Sequence, residues 1–408
     1  MQLSLKKFTL KNFFTLIGII IVLPLRLILL ILSPIILIRL GFIDGTRLGP
    51  LALNLELYLH AVNKEKFSKR RFDLFILSKP ICNEYLKFKW SKFVTIFPKN
   101  WFWKMIEKSY QLLPFGSCNL ISIHYNYEYL FKTKPHLNFS KKEQIRGSNL
   151  LEQLGVKLGS RWICIHNRDN NYLSNLLENK NYDFSGNFDY HNYRDFSIHT
   201  MSKAAEELTK KGYYVIRIGS IQKENIKSDN PMIIDYASSK FRSDFGDIFI
   251  NGNCDAFIGG DSGIGDIALL FRKPLFYINF SLTLLAVFPM TFTFYPYPFI
   301  TKHLFDLKKK RNLSLREMFE MGLFQAVQSN RFKEAGVEVV SNTPEEICDL
   351  TEEAIQRLNG DYRQDKNDES IQREFWNIFF KYSGFKKDVD VPRSISSSFL
   401  NKNQYLLS

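Results

Sequence analysis

The sequence is short of cysteine and has no pattern in what it holds. Five cysteines (Cys82, Cys118, Cys164, Cys254, Cys348) stand far apart in 408 residues. There is no C-x-x-C pair and no His–Cys cluster with zinc spacing, which excludes the common zinc modules and dithiol motifs. They read as buried thiols in a reducing compartment. Neither GxGxxG nor GK[ST] occurs, so the dinucleotide and P-loop fingerprints are missing. Zinc-finger, RRM and helix-turn-helix patterns are missing too, and nucleic acid is not expected as a partner. No internal repeat is evident. Acidic residues are scarce at the amino-terminal end. Residues 1–110 hold 18 of the 55 Lys/Arg but only 6 of the 41 Asp/Glu, and so carry +12 of the net +14. Such asymmetry implies a basic face for an anionic partner, and a membrane surface is the better reading.

That reading rests on an apolar run. Phe13 to Leu40 is long enough to cross a bilayer, yet Arg26 sits near its middle between Pro24 and Pro34. A charge at the bilayer centre costs at least ~2.5 kcal/mol. Lys6, Lys7 and Lys11 precede the run, and Arg39 and Arg47 follow. The positive-inside rule therefore favours both ends on the cytoplasmic side. A broken, re-entrant helix with Arg26 snorkelling or paired satisfies this, and a single tilted span is the alternative. The run is too long for a cleaved signal peptide and no A-x-A site follows it. Beyond it, residues 81–116 mix lysines with Trp90, Trp101 and Trp103, as an interfacial surface or as a core with a solvated basic face.

With 45% hydrophobic residues the chain can hold two α/β domains plus appendages. Gly49-Pro50 makes a turn, and apolar residues recur at helical spacing from Leu51. Ser140 and Glu143 form a capping box before a helix to Leu154. From Arg161 onward strands and helices alternate. Trp162 to Tyr172 is a buried strand entering a polar loop, His199–Lys211 a helix, and Tyr213–Ile218, Pro231–Ala237, Ala256–Ile258 and Lys273–Phe280 are strands. Such repetition predicts a parallel sheet with helices on both faces and ligands at the carboxyl ends of strands. Arg168, Asp169, Arg217, Gly219, Asp235 and the Asp261-Ser262-Gly263 turn all lie at such ends. The turn joins a strand to a helix resuming at Ile264, an arrangement suited to a phosphate. An ordinary turn with glycines for packing is the plainer alternative. Pro344, with Glu345 and Glu346, opens a helix to Leu358. Residues 386–408 read as disordered, and the Asp388-Val389-Asp390 triplet in that tail as chance.

Several of these elements together resemble a family of glycosyltransferases from bacterial surface-polysaccharide gene clusters. The resemblance lies in His166-x-Arg168-Asp169, His191-x-Tyr193-Arg194, Gly212-Tyr213-x-Val215-x-Arg217-x-Gly219, Ile233-x-Asp235-Tyr236-Ala237 and Ser243-Asp244-x-x-Asp247-Ile248-Phe249. Cys254 to Gly263, Asn342 to Ile347, and Arg47 to Leu59 (R-x-G-x-L-A-x-N-x-E-x-Y-L) complete it, over roughly residues 46–360. This chain has Pro50 where the family carries a histidine. The resemblance implies an α/β, GT-B-like fold of two facing Rossmann-like domains, here with an amino-terminal membrane-associated helical segment. It implies a nucleotide-sugar donor as substrate, no cofactor, and Arg47, Gly49 and Asn54 on the acceptor side.

The domain organisation then reads as a membrane-anchoring segment at 1–45 and an acceptor-side α/β domain at 46–155. A donor-binding domain follows at 156–360, and a helix with a disordered tail at 361–408. Glycosyl transfer builds negative charge on the departing diphosphate, which fixed donors must meet. Ser262, Gly263 and the following helix are expected to hold the diphosphate beside Asp261, Arg168 and Arg217 to neutralise it, and Asp266 to touch the ribose. No metal site is expected. Glu56 is the first candidate for the base, with His60, His124 and Asp169 as alternatives. Expected partners are a nucleotide sugar, a lipid-linked glycan acceptor and membrane lipids. The expected place is the cytoplasmic face of a bacterial inner membrane, in lipopolysaccharide or related synthesis. Two rivals are a nucleotide-sugar epimerase of the same fold and a non-catalytic scaffold of an assembly complex.

Overall fold

The computed structural model describes residues 10–64, 70–113, 115–123, 126–178, 189–287, 295–385 and 395–408. They form two compact units, Met1–His124 and Tyr125–Ser408. Both are α/β with a parallel sheet.

The smaller unit begins with helix α1 (Leu10–Leu32), which runs through Pro24 and Arg26 without a break. Ser33 and Pro34 end it, and the branched run that follows becomes strand β1 (Ile36–Ile43). A π-helical turn (Pro50–Asn54) leads into α2 (Leu55–Lys64), then β2 (Arg70–Leu77), α3 (Glu84–Trp90), β3 (Thr95–Pro98) and α4 (Trp101–Leu112). The strands pair in the order β1-β2-β3. Here the structure corrects the reading of residues 13–40 as one apolar segment. Its last five residues are sheet, in register with Arg70–Leu74. The helix is continuous and not broken at Pro24. Arg26 is buried and neither snorkels nor meets a carboxylate. Its Nη1 donates to the Ser109 carbonyl at 2.6 Å, and its Nη2 to the carbonyls of Leu113 and Phe115 at 2.6 and 2.5 Å. The rings of Tyr110 and Phe115 lie over its guanidinium. The Ser109 and Leu113 carbonyls lie at the carboxyl-terminal end of α4, where a helix presents partial negative charge, and Phe115 lies just beyond it, so Arg26 caps a neighbouring helix from within the fold. α1 is the one described helix long and apolar enough to cross a membrane, and only 28% of its Thr15–Leu32 stretch is buried.

The larger unit contains α5 (Glu128–Lys132), α6 (Lys141–Gln153), β4 (Trp162–His166), α7 (Asn171–Glu178) and a 3-10 turn at Asp189–Arg194. α8 (Ser202–Lys210), β5 (Tyr214–Arg217), β6 (Ile233–Asp235), α9 (Asp244–Asn253), β7 (Ala256–Gly259) and α10 (Gly265–Leu270) follow. Then come β8 (Leu275–Phe280), β9 (Phe299–Thr301), β10 (His303–Asp306), β11 (Arg311–Asn312) and β12 (Val337–Val340). The main sheet runs β6-β5-β4-β7-β8-β9, every pair parallel. Its central strands are apolar and buried on both faces, as a sheet covered by helices requires. The antiparallel set β11-β10-β12 was not foreseen.

Residues 126–153 belong to this unit rather than to the amino-terminal domain expected to extend to 155. Phe139 stacks on Phe271 at 4.9 Å and meets Phe249 edge-on at 5.1 Å. Gly147 lies so close to Phe249 that a Cβ would fall 1.9 Å from the ring. The tail is a second correction. Residues 386–394, with the Asp388–Asp390 triplet, lie outside the described residues, but 395–408 are ordered. Ile395 bridges to Phe299, Ser397–Lys402 is helical, and Phe399, Leu400 and Leu406 are buried. Three apolar anchors in a polar sequence are enough when Ser396 donates to Glu353 and Gln372 to the Ile395 carbonyl. The cysteines also divide: Cys164 and Cys254 are buried as expected, but Cys118 is exposed.

Candidate functional site

Strand order locates the site. From β4 the chain proceeds outward to β5 and β6, then returns to place β7 on the other side of β4. The carboxyl ends of β4 and β7 therefore flank a topological switch point, where an open α/β sheet leaves a crevice. Asn167-Arg168-Asp169 leaves β4 there, and Gly260-Asp261-Ser262 leaves β7.

One loop is laid across both ends. Arg168 donates through Nη1 to the His191 carbonyl at 3.1 Å and pairs closely with the Asp195 carboxylate. Arg194 lies 2.7 Å from an Asp261 carboxylate oxygen through Nε, and donates through Nη2 to the Asp261 carbonyl at 2.7 Å. Lys302, just past β9, donates to the Asp195 carbonyl at 2.8 Å and to Ser341 Oγ at 3.0 Å. Three cations thus converge on one crevice, interleaved with Asp195 and Asp261.

Burial sets their charge states. It pushes the Asp195 carboxyl up to about 6, against the pull of Arg168, and holds Asp261 above the usual carboxylate range, against Arg194 and Arg168. It lowers Lys302 to about 8. His166 is driven down to about 4 by burial, hence neutral, and donates from Nδ1 to the Ile218 carbonyl at 2.9 Å. The Ser262 hydroxyl is buried with no hydrogen-bond partner among the described residues.

No family model matches the chain, and no curated protein does. Among solved structures it is similar to the ADP-heptose lipopolysaccharide heptosyltransferase II of Escherichia coli, with TM-score 0.37 and 12% identity over 59% of this chain and 84% of that one. A glycosyl transferase family 9 protein of Veillonella parvula gives 0.33 and 10% over 59% and 79%. A dodecameric iron-containing heptosyltransferase of Escherichia coli, solved with ADP-D-β-D-heptose, gives 0.29 and 12% over 62% and 60%. Likenesses this slight decide neither the fold nor the chemistry of the chain.

The expected residues divide into those that reach the crevice and those spent elsewhere. Arg168, Asp261 and Ser262 lie at it. Gly263 and Asp266 follow directly, both half-buried. Arg217 is fully buried, held by Asp235 at 3.1 Å, Asn167 at 3.1 Å and Gln222 at 2.9 Å. It fastens the ends of β5 and β6, and the cations that join Arg168 at the crevice are Arg194 and Lys302. Asp169 accepts from the backbone N–H groups of Asn171 and Lys223, joining two loops. Gly219 has φ +144°, and a Cβ there would sit 2.1 Å from Gln222. Gly259 and Gly260 are packing glycines: an added Cβ would meet the His166 carbonyl at 2.5 Å and Phe196 at 2.6 Å. α10 has only six residues, so its dipole adds little to the charge already present.

In the smaller unit, Glu56 is buried on α2 with His60 Nε2 at 3.1 Å, one turn on. Arg47, Gly49 and Asn54 occupy the loop and π-turn at the carboxyl end of β1. Asp44 secures this loop by accepting from Thr46 and Ser78. His124 lies outside the described residues. Sequence reasoning assigned no role to Arg194 and missed Asp195 and Lys302. The i,i+4 spacing of Glu56 and His60 was a signal it did not use.

A second buried carboxyl has a measurable consequence. Burial raises Asp247 from its ordinary 3.8 to about 7, although Arg242 lies 2.7 Å away. The folded state then holds a proton that the unfolded chain releases near pH 4. Stability present below pH 4 is lost as pH rises towards 7. At about 1.4 kcal/mol per tenfold in proton affinity, the ceiling is about 4 kcal/mol. Between pH 4.5 and 7.5 the urea midpoint is expected to decline relative to that of the Asp247→Asn variant, since His166, which gains stability as pH rises, and Asp195, which loses it, titrate in both proteins. An equal slope in both proteins would count against it.

Proposed function

We propose that the chain is a membrane-associated glycosyltransferase that moves a sugar from a nucleotide-sugar donor to a lipid-linked glycan acceptor in bacterial surface-polysaccharide synthesis. The observation that carries this is the convergence of Arg168, Arg194 and Lys302 on the switch point between β4 and β7, beside a buried Ser262 hydroxyl without a partner. The resemblance of the surrounding motifs to glycosyltransferases supports it.

In this reading the larger unit takes the donor and the smaller one the acceptor, in a GT-B-like arrangement at the cytoplasmic face of the inner membrane. An incoming diphosphate competes with Asp195 for Arg168 and with Asp261 for Arg194. Burial holds both carboxyls above the usual carboxylate range, so displacement is less costly than for ordinary ion pairs. Ser262 donates its hydroxyl, Gly263 leaves space for the phosphate, and Asp266 takes the ribose. As the glycosidic bond to the diphosphate breaks, the sugar gains oxocarbenium character and the leaving oxygens gain charge. Fixed cations in a dry site stabilise that charge without reorganising, and no metal is required of such a site. Glu56, positioned by His60, is assigned to remove the acceptor hydroxyl proton.

The test is a screen of nucleotide sugars by thermal unfolding of the detergent-solubilised chain. A true donor at a hundred times its Kd is expected to stabilise by about 2.7 kcal/mol, which raises Tm by roughly 5 °C. A full panel without any shift would sink the donor assignment. Interconversion of the free nucleotide sugar without acceptor would favour the epimerase instead.

A further inference from the structure

We infer that α1 lies in the plane of an anionic phospholipid surface, as part of a docking face shared with α4, and does not cross the bilayer. This stands apart from the transferase reading, since it rests only on the smaller unit.

α1 has two opposed faces. Gly18, Ile19, Val22, Arg26 and Leu29 recur at helical spacing and are buried. Val22 and Leu29 share a core with Leu40 and Ile76 of the sheet and with Met105, Ile106 and Tyr110 of α4. At Gly18 the approach is so close that a Cβ would fall 2.6 Å from Met105 Sδ. From Gly18 to Leu29 the helix is thus joined to a folded α/β unit over about 17 Å. A spanning helix must surrender that contact along its length or carry the sheet into lipid. It must also withdraw Arg26 from three carbonyls at and just beyond the end of α4 and place it near the bilayer centre, where a charge is costly.

The opposite face is apolar, and no described residue covers it. Leu16, Ile20, Leu27, Ile28 and Ile31 are each about half exposed or more. Because Arg26 points inward, this face carries no charge. Its edges continue onto α4: Trp101 touches Gly18, and Phe115 covers Arg26, yet both present large exposed surface. Tryptophans beside lysines (Trp101 and Trp103 with Lys104 and Lys108 on α4) suit the headgroup level.

Charge selects the occupant. The unit holds +12 of the net +14. A second copy of the chain would bring a unit of like charge against this one, whereas an anionic leaflet complements it.

The experiment uses the full chain in a cysteine-free background. Single cysteines at Leu16, Ile20, Leu27 or Ile31 carry an environment-sensitive fluorophore. The vesicles contain phosphatidylethanolamine and phosphatidylglycerol, with lipids brominated either near the headgroup or near the chain end. In-plane docking predicts that all four labels are quenched by the shallow bromines and to a similar extent. Deep quenching at Ile20 and Leu27 with shallow quenching at Leu16 and Ile31 would establish a span and overturn the inference. Absence of quenching at every position would overturn it in favour of a protein partner. In the otherwise native sequence, Ile20→Asp with Ile28→Asp is expected to weaken vesicle binding at least tenfold while nucleotide-dependent stabilisation persists. Unchanged binding would also overturn it.

Discussion

Arg194→Met is expected to weaken nucleotide-sugar binding by a hundredfold or more and to destabilise the larger unit by about 3 kcal/mol. Two losses add. One is a cation at the proposed diphosphate position, and the other is an ion-pair partner of the Asp261 carboxylate, which lies 2.7 Å away and is buried. Removing one member of a buried pair costs about 3–5 kcal/mol because the other is left charged and unsolvated. Burial holds the Asp261 carboxyl above the usual carboxylate range, so the stranded group takes up a proton more readily, which places the cost at the lower end. A second variant separates the effects. Arg194→Met with Asp261→Asn removes the stranded charge, so stability should largely return while donor affinity stays low. Calorimetry beside urea unfolding checks both. If affinity returned with stability, Arg194 would be a structural strap and the donor site would lie elsewhere.

Arg26→Met is expected to destabilise the smaller unit by about 3 kcal/mol or more. The guanidinium donates to carbonyls at Ser109, Leu113 and Phe115 and is stacked by two rings. Hydrogen bonds to charged groups contribute about 1.5–3 kcal/mol each, and orphaned buried acceptors carry a desolvation penalty. Methionine fills the volume but supplies no donor. Hydrogen exchange should quicken in α1 and α4 together, whereas the larger unit should be unaffected. Arg26→Lys keeps the charge but lacks the planar fork, and should recover less than half of the loss. Native-like stability in Arg26→Met would show that the α4 carbonyls find other partners and that α1 is only loosely attached.

Both variants mark limits of sequence reading. Arg26 was legible as an anomaly, a charge in the middle of an apolar run. Nothing local says that it meets the end of a helix more than 80 positions away. Arg217 and Arg194 show the same limit. The first ends a strand and the second a 3-10 turn, and only packing decides that Asp235 and Asn167 consume the first while the second reaches Asp261. Lys302 was illegible because β9, which delivers it, is three residues long, too short to show a period. The tail from Ile395 was misread for a related reason: its apolar anchors are few, and their partners lie on distant elements.

What the sequence determined by itself is local or periodic. Period-two and fully apolar runs gave β4, β5, β7 and β8, glycine and proline marked their ends, and Ser140, Ser243 and Thr343 capped the helices they precede. The glycine turn after β7 was visible for the same reason, since backbone freedom is a property of single residues. Tertiary structure alone decided strand order, and with it which carboxyl ends share a crevice. It decided which arginine is buried against a carboxylate, and which face of α1 is covered. These depend on contacts between segments far apart in the chain, whose energies are comparable for many pairings until the cores close and burial selects among them.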